Sequence, residues 1–131
     1  MNQNIYILFT YIYMRNMEEN NLYLLNTPIL TEYGEYKFFK VSLEDAKKII
    51  DRKLVGKGFI SAIGHQVTAD FMSELFGITI PTNRISIHMK TRDAAIVFRL
   101  VDRLPEGKIL SKEEMKEIKY EIGFLKMKSE F

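Results

Sequence analysis

A chain of 131 residues with 47% apolar and 27% charged content has material for one packed domain and little for a second. Its net charge of +2 is too weak to point to long duplex DNA or a membrane surface, where a dominant basic patch is expected. The absence of cysteine excludes thiol chemistry, disulfides and cysteine-ligated metals, and fits a cytoplasmic protein.

Residues 5–14 (IYILFTYIYM) are almost wholly apolar and aromatic. They are too few for a transmembrane helix, which needs roughly 20 apolar residues. They also lack the basic lead and small-residue cleavage site of a signal peptide. Three readings of the extension 1–20 stay open: a start codon placed too early, with Met14 or Met17 as the true beginning; an arm that packs on the domain or a partner; or an anchor. Residues 21–131 form the domain proper.

Within the domain, residues 21–26 (NLYLLN) read as a short strand and 27–34 (TPILTEYG) as a loop marked by Pro28 and Gly34. Residues 36–41 (YKFFKV) make a second strand, expected to be closely tied to the first. Ser42 stands where an N-cap belongs, with Asp45 three positions on, so a helix is expected from Leu43 to about Lys53. Its buried side carries Leu43, Ala46, Ile49 and Ile50. Gly56 and Gly58 end that unit, and 59–63 (FISAI) reads as a short buried strand closed by Gly64. A second helix is expected over 66–76, with Val67, Phe71, Met72 and Leu75 inward and Gly77 just past its end.

Residues 85–90 alternate Ile85, Ile87 and Met89 against Ser86, His88 and Lys90, the pattern of a half-buried strand. A tight turn at 91–93 then returns the chain as an apolar central strand at 94–101 (AAIVFRLV), so this pair is expected to be a hairpin. Residues 103–108 (RLPEGK) form a polar turn. Ser111 with Glu114 makes a capping box for a third helix, with Met115, Ile118 and Ile122 on its buried side. Residues 124–127 are a candidate closing strand. Strands and helices interleave without regular βαβ repetition, which indicates an α+β domain: a small mixed β-sheet flanked by helices.

Two histidines carry most of the candidate chemistry. His65 follows Gly64 where an extended segment turns into a helix. Free backbone N–H groups at a helix start favour an anion such as a phosphate, and Gly64 lets a ligand approach the main chain. An imidazole there can protonate a leaving oxygen. The positive end of a helix disfavours an imidazolium, so an acid at this point calls for a carboxylate partner. The plainer alternative is a histidine that merely satisfies backbone donors as an N-cap. His88 reads as a surface histidine on the polar face of its segment.

In the turn 103–108, Arg103 and Glu106 can present both side chains to one point, with Pro105 stiffening the turn. Arg103 suits a bidentate phosphate contact, and Glu106 can orient or charge His65. An exposed turn with a local ion pair is the alternative. Asn83 and Arg84, before the 85–90 segment, carry the same ambiguity. No metal-ligand pattern is present, since Asp45, Asp51, Asp70 and Asp93 are scattered, and no glycine-rich phosphate loop occurs. No metal or cofactor is therefore expected.

Three stretches taken together resemble one family: LLNT at 24–27, ISAIGHQVT at 60–68, and Asn83–Arg84 with RLPEGKIL at 103–110. In this order and spacing they resemble the ring nucleases of archaeal viruses, phages, prophages and some CRISPR loci, known as type III anti-CRISPR ring nucleases. The likeness runs from about residue 22 to 125. It implies a small homodimer that binds cyclic tetraadenylate across the dimer interface. It also implies metal-free cleavage to linear diadenylates, silencing the signal that activates ancillary nucleases of type III CRISPR defence.

By motif position the resemblance makes His65 the general acid, with Arg103 and Glu106 as the charged pair beside the scissile phosphate. Asn26, Thr27 and Arg84 are implied to hold the ring's backbone or bases. Gly64 and the helix start Gln66, Val67 and Thr68 are implied to approach the phosphates through main-chain groups. Two departures stand out. Pro105 replaces an acidic residue found in many relatives, and Thr27–Pro28 replaces a more flexible serine-containing loop. Two other functions compete: a non-catalytic protein that sequesters a nucleotide or regulates transcription, and a structural partner protein of a mobile element.

Overall fold

Strong capping signals at Ser42, Gly77 and Ser111 delimit the helices, and the strands between them assemble into one sheet. The computed structural model describes residues 20–101 and 110–130. The apolar segment 5–14 and the turn 103–108, with Arg103 and Glu106, lie outside the described residues. Among those described, the order is β1 (Leu22–Leu25), β2 (Gly34–Val41), α1 (Leu43–Leu54), β3 (Ile60–Ser61), α2 (Gln66–Phe76), β4 (Ala94–Leu100), α3 (Lys112–Glu117) and β5 (Tyr120–Glu130).

The five strands form a mixed sheet in the order β2-β5-β4-β1-β3. β1 runs parallel to both β3 and β4, with Leu24 opposite Ser61 and Leu25 opposite Val97. β5 runs antiparallel to both β4 and β2. The single domain is thus an α+β fold with a small mixed sheet.

Alternation along the strands sends successive side chains to opposite faces. Leu22, Leu24, Ala94, Ile96, Phe98, Ile122 and Phe124 point to the first face. There they meet Ala46, Ile49 and Ile50 of α1 and Ala69, Phe71, Met72 and Phe76 of α2. Met115 of α3 and Ile118, which follows it, pack against the same cluster. The three described helices therefore cover one face. The second face carries Tyr23, Leu25, Ala95, Val97, Leu125 and Met127, and it is covered by Ile87 and Met89. β4 is buried on both faces, which is why it reads as an unbroken apolar run.

Local expectations met the structure unevenly. Ser42 Oγ accepts the Asp45 N–H at 3.1 Å, and Gly77 closes α2 in the left-handed conformation at φ 71°. Ser111 and Glu114 form both halves of a capping box. Lys53 is buried at the end of α1, its ammonium donating to the Asn20 carbonyl.

The expected strand at 85–90 is overturned: those residues enter no ladder, although Ile87 and Met89 are buried while Ser86, His88 and Lys90 are exposed. The alternation records one covered side, and the segment lies over the sheet instead of within it. The expected hairpin of 85–90 with 94–101 falls with it, because β4 has β1 and β5 as its neighbours. The third helix stops at Glu117, and Ile122 belongs to β5. The strand at 59–63 shrinks to two residues, and the closing strand grows from 124–127 to Tyr120–Glu130.

Candidate functional site

The three parallel strands β3, β1 and β4 end at one edge of the sheet. In open sheets, ligands gather beyond the carboxyl ends of parallel strands, where chain leaves the ladder and backbone groups lose their partners. Asn26 and Thr27 leave this edge after β1, and residues 62–65 leave it after β3. β4 ends there at Leu100, and in sequence Arg103 and Glu106 follow it.

The turn after β3 is held from both sides. The Ala62 N–H donates to the Leu24 carbonyl at 2.9 Å. Ser61 Oγ donates to the Pro81 carbonyl at 2.6 Å and accepts from the Ile63 N–H at 3.3 Å. The segment that follows α2 then docks along the turn. The Asn83 N–H donates to the Ile63 carbonyl at 2.8 Å, and the Asn83 side-chain amide donates to the Ser61 carbonyl at 2.8 Å. Arg84 Nε donates to the Gly64 carbonyl at 2.8 Å. The structure therefore brings Arg84 beside the Gly64–His65 turn, a proximity invisible in the linear sequence.

His65 is the N-cap residue of α2, with extended backbone at φ −120° and ψ 128°. Its carbonyl accepts the first helical bond, from the Ala69 N–H at 3.0 Å, so Gln66, Val67 and Thr68 are the residues whose N–H groups have no helical acceptor. Its imidazole makes no capping hydrogen bond and is exposed. His65 thus stands at the N-cap position without its side chain serving as the cap. A helix start whose N-cap side chain makes no capping bond leaves main-chain N–H groups that favour an anion.

The remaining predicted residues divide by what their side chains already do. Gln66 is committed at both ends: Oε1 accepts from the Thr82 hydroxyl at 2.7 Å, and Nε2 donates to Asp70 Oδ1 at 2.8 Å. Val67 is half-buried and Thr68 is buried, which leaves their main-chain groups for any ligand. Gly64 has room on its open side, since an added Cβ would meet only Arg84 Cγ, at 3.7 Å. Asn26 is half-buried and Thr27 exposed, and neither side chain bonds to another described residue. The Arg84 guanidinium is exposed and has its two terminal nitrogens unbonded among the described residues.

One pair escaped the sequence. His88 Nδ1 lies 2.7 Å from Glu32 Oε1, although the residues are 56 positions apart. No local spacing signals such a contact. Among the described residues no group of three histidine, aspartate or glutamate side chains is placed to hold a metal ion. No helix among them is long and apolar enough to cross a membrane.

Residues 22–122 match the STIV B116-like family. ORF117 of Acidianus two-tailed virus is 37% identical over 109 residues, covering 80% of this chain and 92% of its own. YddF of Bacillus subtilis is 33% identical over 101 residues, covering 77% of this chain and 92% of its own. Among solved structures, B116 of Sulfolobus turreted icosahedral virus superposes with a TM-score of 0.74 at 25% identity. It covers 81% of this chain and 98% of that one.

Proposed function

Since the chain belongs to the STIV B116-like family, whose relatives include proteins of archaeal viruses, we propose that it is a metal-independent ring nuclease cleaving cyclic tetraadenylate. The observation that carries this reading is the uncapped Gly64–His65 turn with Arg84 clamped against it. It combines a phosphate-binding helix start, a free imidazole and a guanidinium at the carboxyl edge of three parallel strands.

RNA chemistry supplies the attacking group. The substrate's 2′-oxygen bonds to the adjacent phosphorus while its proton leaves to solvent, and the bond from phosphorus to the 5′-oxygen breaks. His65 gives that oxygen its proton, so the products end in a 2′,3′-cyclic phosphate and a 5′-hydroxyl. Arg103 offsets charge on the pentacoordinate state, and Glu106 supports the imidazolium. Arg84 and the Gln66–Thr68 main chain hold phosphates; Asn26 and Thr27 hold the ring beside them. Gln66 acts through its backbone, its side chain being spent on Thr82 and Asp70.

A symmetric ring fits a symmetric pair of half-sites, so the active species is a homodimer. The exposed Ile29, Leu30, Tyr33, Phe38 and Ile85 offer apolar contact area for a second copy. In this reading the cleavage switches off type III CRISPR signalling in the cytoplasm, as an anti-defence activity.

A non-catalytic, nucleotide-sequestering protein is the second reading. In its favour, no carboxylate among the described residues bonds to His65. The two separate in one assay: protein in excess over cyclic tetraadenylate, in EDTA, with products followed by chromatography. Linear diadenylates are expected. Intact ring at protein excess overturns the enzyme, and cleavage abolished by EDTA overturns the metal-free mechanism.

A further inference from the structure

Segment 81–90 ties together two pieces of chain that leave the sheet at different strands. Its head docks on the turn after β3 through Asn83 and Arg84, and on the first residue of α2 through Thr82. Its tail grips the loop that follows β1. His88 Nδ1 pairs with Glu32 Oε1 at 2.7 Å, and the Met89 N–H donates to Thr31 Oγ1 at 3.0 Å. Tyr36 completes the grip, its hydroxyl donating to the Glu32 carbonyl at 2.8 Å. The loop is thus fixed at Asn26 by β1 and at Thr31 and Glu32 by the clasp. Thr27, Pro28, Ile29 and Leu30 span the gap, all of them exposed.

We infer that His88 and Glu32 are positioning residues, which hold the 26–33 loop so that Asn26 and Thr27 stand in register with the Gly64–His65 turn. The inference rests on the proposed role of Asn26 and Thr27 in ligand contact. As a stabilising ion pair the contact would do little, because its side chains are 77% and 40% exposed. Its consequence is for the loop. Losing the pair leaves the Met89 bond to Thr31 and the Tyr36 bond to the Glu32 carbonyl in place, so it loosens the held end of the span, and part of the entropy of ordering that span then falls on ligand binding. Chemistry at His65 is untouched, since the clasp grips the far end of the loop. Affinity is therefore the quantity that should move.

The test uses the full chain with Glu32→Ala, His88→Ala, the double variant and His88→Asn. Hydrogen exchange of the free protein is expected to quicken at amides 27–33 in both alanine variants, while amides 61–66 keep their protection. With cyclic tetraadenylate, Kd and KM are expected to rise about 3- to 10-fold with an unchanged single-turnover rate at saturation. The double variant should be no worse than either single one, because both open one clasp. His88→Asn keeps an N–H donor at the position of Nδ1 for Glu32 and should recover most of the loss. Unchanged exchange at 27–33 overturns the clasp, whether or not the ring binds. Faster exchange with unchanged Kd, or a saturating rate that falls with affinity, overturns the positioning role. A wild-type chain that fails to bind the ring removes the proposed function and the positioning role with it, and exchange alone then decides the clasp.

Discussion

Replacing Arg84 separates folding from ligand binding. The side chain is exposed and makes one hydrogen bond to the described residues, the 2.8 Å bond from Nε to the Gly64 carbonyl. Gly64 is half-buried and one hydrogen bond is lost, so Arg84→Ala should cost about 0.5–1 kcal/mol of stability, a shift of a few degrees in Tm. Ligand binding should respond far more. A guanidinium giving charge-assisted hydrogen bonds to a phosphate contributes about 1.5–3 kcal/mol. Its loss weakens Kd by about 10- to 150-fold. Arg84→Lys is the sharper probe. An ammonium cannot hold the Gly64 carbonyl through Nε and still offer two further nitrogens to a phosphate, so the lysine variant should bind more like alanine than like arginine. Calorimetric titration with cyclic tetraadenylate, in a His65→Ala background that prevents turnover, gives the three Kd values. Wild-type affinity in Arg84→Ala, or full retention in Arg84→Lys, refutes the reasoning.

Three further substitutions test the scaffold. A Cβ at Gly34 would stand 2.2 Å from the Ser129 backbone oxygen across the β2–β5 ladder. Gly34→Ala should therefore cost about 1–3 kcal/mol, read from denaturant midpoints, and an unchanged midpoint would contradict that close approach. Asp93 is buried, and its two oxygens accept the N–H groups of Asn21 and Lys90 at 3.0 and 2.9 Å. Asp93→Ala strands both donors and should cost about 2–5 kcal/mol in the same measurement. Burial lifts the Tyr23 hydroxyl above its ordinary 10.0; the Asn21 hydrogen bond offsets part of that rise and the Asp93 charge adds to it. The folded chain therefore keeps this proton longer than the unfolded one. That stabilisation is full below pH 10 and is lost as pH rises through the folded value, so Tyr23→Phe should flatten the alkaline loss of stability.

Much of the fold was legible because its signals are local. Ser42, Gly77 and the Ser111–Glu114 pair act within one helical turn, and the structure places all three where their spacing predicts. β4 announced itself by an apolar run that only a strand covered on both faces sustains. Residues 85–90 were misread because alternation reports a covered side and says nothing of hydrogen-bond partners. Strand order was invisible for a related reason: β2 follows β1 in sequence but pairs with β5 at the far edge. The position of His65 at a helix start was legible from Gly64 before it and the helical pattern after it. The Arg84–Gly64 bond and the His88–Glu32 pair were not, since each joins segments brought together only by the tertiary fold.

The central claim is that the exposed imidazole of His65, uncommitted to capping its own helix, acts as an acid on bound ring. Single-turnover cleavage of cyclic tetraadenylate by wild type and His65→Ala, with Kd measured on both, tests it most directly. The account predicts that the variant keeps its Kd within about threefold while its cleavage rate falls by about 100-fold or more. Equal cleavage rates in the two proteins, or binding lost together with cleavage, would contradict it.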